Sequence, residues 1–193
     1  NRREANGQKT VLSLASGRSM RDLFVELVRL HKEEGLSFKN VVVFGSYEFY
    51  PLADSSLGSM AQIQSQLLDH IDILPENVHT FPGDLPKETV FTFCEEYEKA
   101  IVEAGGIDIQ VLGIGQCGNI AMNEPGTQPN SSTRLVIMDG NSRVDVKSLF
   151  GNVAQVPTCA ITLGIDTILQ AKEVILLAFG QHKASIVKQA IEE

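Results

Sequence analysis

The sequence lacks the features that mark metal, redox and membrane proteins. Its 193 residues include three cysteines, and no two of them have the C-x-x-C spacing of a zinc ribbon or a redox pair. No apolar run is long enough to cross a bilayer, and no signal-peptide pattern precedes the first predicted strand. We therefore expect a cytoplasmic, enzyme-like domain with no metal site and no membrane association.

Positive charge is also sparse. The chain has 16 Lys and Arg against 24 Asp and Glu, a formal net charge of -8, and no basic stripe, so a nucleic-acid partner is not expected. A small anion needs only a local group of cations and stays compatible with this charge. The length suits one domain, residues 1–193. Because the sequence starts without Met and ends within a helical pattern, this domain is compatible with a fragment of a longer chain.

The most informative stretch is Val111 to Pro125, V-L-G-I-G-Q-C-G-N-I-A-M-N-E-P. Apolar and polar residues alternate from Ile107 to Val111 and then give way to three glycines, as in a strand that opens into a tight loop. In open α/β sheets, ligands bind at the carboxyl ends of strands, so polar residues of this loop are candidates for a site. The pattern alone fits an ordinary strand-to-helix connection equally well.

A second candidate site follows the first predicted strand, Thr10 to Leu14. The chain breaks there before a helical pattern, and backbone N–H groups and hydroxyls at a helix N-terminus attract anions. The predicted phosphate-binding residues of this loop are Ser16, Gly17, Arg18 and Ser19. Capping of the helix by Ser16 or Ser19 is the alternative, and it does not exclude anion binding.

Further strands are predicted at Asn40 to Phe44, Leu135 to Met138, Cys159 to Leu163 and Val174 to Phe179, with Gly45 to Pro51 as a loop after the first of these. A helix is predicted from about Ser55 to Leu68, locally weakened at Gly58. Apolar strands that alternate with helices predict an α/β fold of three layers, α/β/α, with a mostly parallel, Rossmann-like sheet.

Several segments, in order, resemble the glucosamine-6-phosphate deaminase family, which is related to the 6-phosphogluconolactonases. They are His31 to Val42, Asp69 to His79, Asn123 to Gly126, Thr133 to Leu135 and Val174 to Ala184. The resemblance implies the same α/β/α fold and a small phosphorylated sugar as ligand. It also implies conversion of a hexosamine 6-phosphate to a ketose phosphate by ring opening, proton transfer and loss of ammonia, without a cofactor.

The positions that match the family's catalytic residues are mostly altered. Tyr47 stands where the family has a proton-transferring Asp, and Cys117 and Asn119 stand where it has the Asp and His of Asp-Gly-His. A phenol with a pKa near about 10 is a poor base at neutral pH, and an asparagine cannot titrate. Glu48 and Glu124 match family glutamates, either as proton carriers or as groups that hold their loops. Cys117 has no basic neighbour in sequence that would activate its thiol.

The phosphate-binding positions are better preserved. Lys183 matches the family's phosphate-binding lysine. The arginine usual five residues after Arg143 is replaced by Ser148, and the adjacent Lys147 is predicted to supply charge with looser geometry, because an ammonium is a point donor.

Two classes of function fit these residues. One is a sugar-phosphate-binding domain with lost or reduced deaminase activity. The other is an active deaminase/isomerase or a related hydrolase that uses altered residues. We favour the first, since a placed acid or base contributes about 10²–10⁴-fold to a rate and two such positions are altered. A homo-oligomer is left open.

Overall fold

The computed structural model describes residues 7–192. The strands are β1 (Thr10–Leu14), β2 (Val41–Gly45), β3 (Tyr47–Tyr50), β4 (Val78–His79), β5 (Ile109–Gly113), β6 (Arg134–Ile137), β7 (Cys159–Thr162) and β8 (Glu173–Leu177). The helices are α1 (Arg18–Glu34), α2 (Ser59–Gln66), α3 (Val90–Glu103), α4 (Gly140–Phe150), α5 (Ile165–Leu169) and α6 (Ala184–Glu192).

Five strands form a parallel sheet in the order β4-β2-β1-β5-β8. Successive residues of β2 point to opposite faces, as the strand repeat requires. Val43 packs with α1 and α2 in one buried cluster, and Phe44 packs with α3 in the other. This sheet between two helical layers confirms the predicted α/β class with a mostly parallel sheet.

A second, antiparallel sheet has the order β3-β7-β6. The strands expected at Leu135 to Met138 and at Cys159 to Leu163 are present, but they belong to this sheet. The expectation of a loop from Gly45 to Pro51 was wrong, because Tyr47–Tyr50 pairs with Cys159–Thr162. A four-residue strand that begins one residue after β2 gives too short a pattern to separate from a loop.

Ser46 joins the two sheets and is fully buried. Its N–H donates to the carbonyl of Leu14 at 2.9 Å, and its own carbonyl accepts from the N–H of Leu163 at 2.9 Å. Its hydroxyl lies 3.1 Å from the hydroxyl of Ser13 and 3.0 Å from Nε2 of Gln110. The single residue between β2 and β3 therefore bonds to the parallel sheet through its N–H and hydroxyl, and to the residue after β7 through its carbonyl.

Glu48 ties β3 to the start of α2. Its side chain is almost completely buried, and its carboxylate accepts the backbone N–H groups of Phe49 at 2.9 Å, Ser59 at 2.7 Å and Met60 at 2.9 Å. A carboxylate at a helix N-terminus satisfies N–H groups that lack intrahelical acceptors. Burial raises the pKa of Glu48, and the three N–H bonds oppose that rise.

The same carboxylate explains an interruption in the helix predicted from Ser55 to Leu68. The chain forms a 3₁₀ turn at Ser55–Leu57 and then α2, with Gly58 between them. A Cβ at Gly58 would lie 2.7 Å from Oε2 of Glu48. Glycine is therefore required where the carboxylate approaches the backbone.

We predict that Glu48→Ala lowers the free energy of unfolding by about 2–4 kcal/mol, because a buried N–H that loses its acceptor costs about 1–3 kcal/mol. Urea denaturation followed by circular dichroism measures the change. Glu96→Ala, on the exposed side of α3, is the matched control and should stay within about 0.5 kcal/mol of wild type. Equal losses in the two variants would contradict the anchoring role.

Candidate functional site

A cavity of about 490 Å³ opens at the carboxyl ends of β1 and β5, beside β3. It brings together residues that lie far apart in the sequence. Of the predicted site residues it is lined by Ser16, Gly17, Arg18, Ser19, Tyr47, Asn119 and Lys183. Four predicted residues do not line it: Glu48, Cys117, Glu124 and Lys147.

The loop before α1 presents backbone N–H groups to the cavity. Gly17 is the N-cap residue, with a φ of 122° that favours glycine, and no side chain caps this helix. The alternative of capping by Ser16 or Ser19 is therefore not observed. The N–H groups of Arg18 and Ser19 occupy the first two helical positions, where no intrahelical acceptor exists. The geometry suits an anion.

Ser16 uses its hydroxyl for Tyr47 instead of the helix. The hydroxyl oxygens of Ser16 and Tyr47 are 2.9 Å apart, and both side chains are buried. Burial raises the pKa of Tyr47, and the hydrogen bond to Ser16 opposes this only in part. Tyr47 is consequently a protonated phenol at neutral pH, which can donate a hydrogen bond but is a poor base.

Asn119 lies against the glycine-rich loop that follows β5. Its Nδ2 donates to the carbonyl of Ala121 at 3.2 Å, while its Oδ1 is buried and finds no hydrogen-bond partner in residues 7–192. A Cβ at Gly115 would lie 1.7 Å from this Oδ1, so only glycine fits there. The Oδ1 atom thus faces the backbone of Gly115, and the side chain brings no titratable group to the cavity.

Glu124 is held by the start of α4. Its Oε1 accepts the backbone N–H of Asp139 at 3.1 Å, and its Oε2 accepts the hydroxyl of Ser142 at 3.0 Å. Ser142 itself lines the cavity. The carboxylate of Glu124 is thus one hydrogen bond behind the cavity wall, with two loop-holding contacts.

The thiol of Cys117 lies outside the cavity lining and near several carboxylates. Its partial burial raises its pKa most, and the charges of Asp145, Asp139 and Glu124 raise it further, against a smaller opposite effect of Lys183. A thiol in this environment is less ionised than a free cysteine at neutral pH.

Two neighbouring residues of α4 differ in whether they line the cavity. Ser148 lines it and Lys147 does not. Consecutive helical residues project about 100° apart, so a lysine next to the expected position does not reach the same surface. Lys147 therefore does not replace the missing arginine in this structure.

The sequence interpretation missed several cavity residues, which are Asp22, Gln62, Ser142, Asp145 and His182. Three of them were missed because they are polar residues of predicted helices or loops without a distinctive spacing. Ser142 and Asp145 were missed because α4 itself was not predicted. One signal was present, since Asp139 caps α4 by accepting the N–H of Asn141 at 2.8 Å.

Residues 7–192 contain no group of three or more His, Cys, Asp or Glu side chains placed to hold a metal ion. None of the helices in this range is long and apolar enough to span a membrane.

A parallel sheet with a polar cavity at the carboxyl ends of its strands defines an α/β domain of the ligand-binding type. A family model of glucosamine-6-phosphate isomerases/6-phosphogluconolactonase matches residues 1–193. The chain belongs to this family, which confirms the resemblance drawn from the sequence.

Individual relatives agree with this assignment. The chain is 48% identical, over 96% of its length, to a glucosamine-6-phosphate deaminase-like protein of Bacteroides thetaiotaomicron, but it spans only 28% of that relative. It is 40% identical to a glucosamine-6-phosphate deaminase of Bacillus pumilus, covering 95% of this chain and 76% of the relative.

Solved structures have the same fold. A monomeric glucosamine-6-phosphate deaminase superposes with a TM-score of 0.90 at 33% identity, covering 95% of this chain and 76% of the other. A 6-phosphogluconolactonase of Thermotoga maritima superposes with a TM-score of 0.71 at 22% identity, covering 96% and 77%. The latter likeness concerns the fold alone.

We predict that the Cys117 thiol is alkylated by iodoacetamide at pH 8 more slowly than free cysteine, because its raised pKa leaves less thiolate at that pH. Asp145→Asn should accelerate the reaction by removing a nearby negative charge. Peptide mass spectrometry of time points measures both rates. Alkylation faster than that of free cysteine would instead reveal an activated nucleophile.

Proposed function

We propose that this domain binds a hexosamine 6-phosphate in the cavity and has lost, or retains at a reduced level, glucosamine-6-phosphate deaminase activity. One observation carries the proposal. A protonated Tyr47 and a non-titrating Asn119 stand at two acid/base positions of a cavity that also contains an anion-binding loop and Lys183.

Binding is supported by the cavity's donors. The helix N-terminus of α1 directs N–H groups and a partial positive charge at the cavity, and the lysine adds a full charge. Arg18 also lines the cavity and is exposed, so its guanidinium has room to reach a phosphate. The deaminase relatives are named for a phosphorylated sugar, glucosamine 6-phosphate, which agrees with such a ligand.

Weak or absent turnover is supported by the proton chemistry. Proton transfer between adjacent sugar carbons needs a base that is ionised near neutral pH, and burial moves Tyr47 away from that condition. The carboxylate of Glu48 is committed to three backbone N–H groups outside the cavity. The loss of one placed base typically lowers a rate by about 10²–10⁴-fold.

Active deamination is the second candidate, and one contact favours it. Ser142 lines the cavity and donates to Glu124 at 3.0 Å, which would connect a bound sugar to a carboxylate through one hydroxyl. Hydrolysis of a sugar lactone requires the same missing acid/base groups and has no contact of its own in its favour.

Calorimetric titration with glucosamine 6-phosphate, followed by an ammonia-release assay on the same sample, tests the proposal. We expect binding with little or no ammonia. Lys183→Ala should weaken binding about tenfold, since a hydrogen bond to a charged group contributes about 1.5–3 kcal/mol. Lys188→Ala, which changes an exposed lysine paired with Glu192 on the same helix, should bind like wild type.

Two results would contradict the proposal in different ways. Absence of heat with both glucosamine 6-phosphate and inorganic phosphate would remove the anion site. Rapid ammonia release would show that Glu124 or another group carries the proton.

The variant Tyr47→Asp/Asn119→His places the family's residue types at both altered positions. If their absence limits turnover, ammonia release should rise above the wild-type rate, by up to about 10²–10⁴-fold. The two single variants serve as controls and should each gain less. Thermal unfolding must accompany the assay because Tyr47 is buried. A folded double variant that binds the sugar but releases ammonia at the wild-type rate would show that these residues are not the limiting change.

A further inference from the structure

The hydroxyl of Ser16 has more hydrogen-bonding capacity than the fold uses. Its oxygen lies 2.9 Å from the hydroxyl oxygen of Tyr47, and the two residues are 9% and 8% exposed. The Ser16 side chain does not cap α1, and it has no other hydrogen bond in the part of the chain that the structure describes. A hydroxyl has one donor and two acceptor sites, so part of this capacity is left for a ligand.

Tyr47 is the donor in this pair. A phenol is a more acidic hydroxyl than that of serine and is therefore the better donor, and burial keeps it protonated by raising its pKa. Its ring is fixed by an edge-to-face contact with Phe49, with centroids 5.8 Å apart at 78°. Because the Ser16 oxygen accepts from Tyr47, the proton of Ser16 must point in another direction.

The cavity is that direction, and the free N–H groups of α1 lie beside it. Ser16 comes directly before the N-cap residue Gly17, and the N–H groups of Arg18 and Ser19 have no intrahelical acceptor. All four residues line the cavity. The hydroxyl of Ser16 would add one donor to an anion held by these N–H groups, and a hydroxyl that itself accepts a hydrogen bond is a stronger donor.

We infer that Tyr47 is a positioning residue for the bound phosphate, because its phenol donates to Ser16 and thereby directs the Ser16 O–H to a phosphate oxygen. This inference rests on the proposed function. It gives Tyr47 a role in binding, whereas the proposed function concerns the proton transfer that Tyr47 cannot perform. No proton changes owner in this arrangement.

A double-mutant cycle tests the inference. Wild type, Ser16→Ala, Tyr47→Phe and the double variant are titrated calorimetrically with inorganic phosphate and with glucosamine 6-phosphate. Ser16→Ala should weaken both ligands about tenfold, as expected for a lost hydrogen bond to a charged group. Tyr47→Phe should weaken both about threefold in the presence of Ser16 and should have no effect in the Ser16→Ala background, because the phenol acts through that hydroxyl.

Tyr50→Phe is the matched control. Tyr50 is a buried tyrosine of the same strand, and its hydroxyl donates to the carbonyl of Leu85 at 2.8 Å, outside the cavity lining. This variant also loses one hydrogen bond but should bind both ligands like wild type. Ser16→Thr keeps a hydroxyl and should keep the sensitivity to Tyr47→Phe, which covers the case of an unstable Ser16→Ala. Thermal unfolding of each variant confirms that it is folded.

Each other result overturns the inference. Independent, additive losses from the two substitutions would show that Tyr47 contacts the ligand itself. Unchanged or tighter binding by Tyr47→Phe would show that the phenol competes with the ligand for Ser16. Losses with glucosamine 6-phosphate but not with inorganic phosphate would place Ser16 at the sugar. Failure of wild type to bind either ligand would instead refute the proposed function, a distinguishable outcome.

Discussion

Ser46 lies at the junction of a parallel and an antiparallel sheet and is hydrogen-bonded on both sides. This residue is fully buried between β2 and β3, and its N–H, carbonyl and hydroxyl all have partners on neighbouring strands or loops. A buried polar group without a partner costs about 1–3 kcal/mol, so backbone conformations of Ser46 that break these hydrogen bonds are disfavoured. The next residue is Tyr47, and its direction brings the phenol to Ser16. One wall residue of the cavity, Tyr47, is therefore placed directly by the junction between the sheets.

The parallel sheet could be predicted because its central strands are short, apolar and followed by glycine or polar loops. Thr10 to Leu14 is a strand with the predicted limits, and the predicted strand at Asn40 to Phe44 differs from β2 by one residue at each end. The antiparallel sheet could not be predicted as such. Periodicity identifies a strand but not the strand with which it pairs. In β3 the pattern is also obscured by the buried Glu48, whose carboxylate accepts the N–H of Met60 in α2, twelve residues further along.

The parts of the candidate site that could be predicted are loops whose residue types indicate a particular backbone geometry. Single side chains on helices gave no such indication. The loop from Ser16 to Ser19 could be recognised because small residues before a helix have a physical reason to be there. Asp145 could not be recognised, since α4 has a weak apolar pattern and a single acid on a helix is usually a surface residue. The resemblance to the family identified which positions are altered. It did not reveal that Tyr47 bonds to Ser16 in the loop before α1, a contact between two predicted sites that only tertiary structure brings together.

The pairing of Ser16 with Tyr47 also has a thermodynamic consequence. Ser16 follows a strand of the parallel sheet, and Tyr47 belongs to the antiparallel one, so a cavity ligand that touches both residues contacts both sheets. The site exists only while the sheets remain joined. By linkage, a ligand at 100 times its dissociation constant adds about 2.7 kcal/mol to the free energy of unfolding. Ligand binding in the cavity therefore stabilises the association of the two sheets, and separation of the sheets would release the ligand.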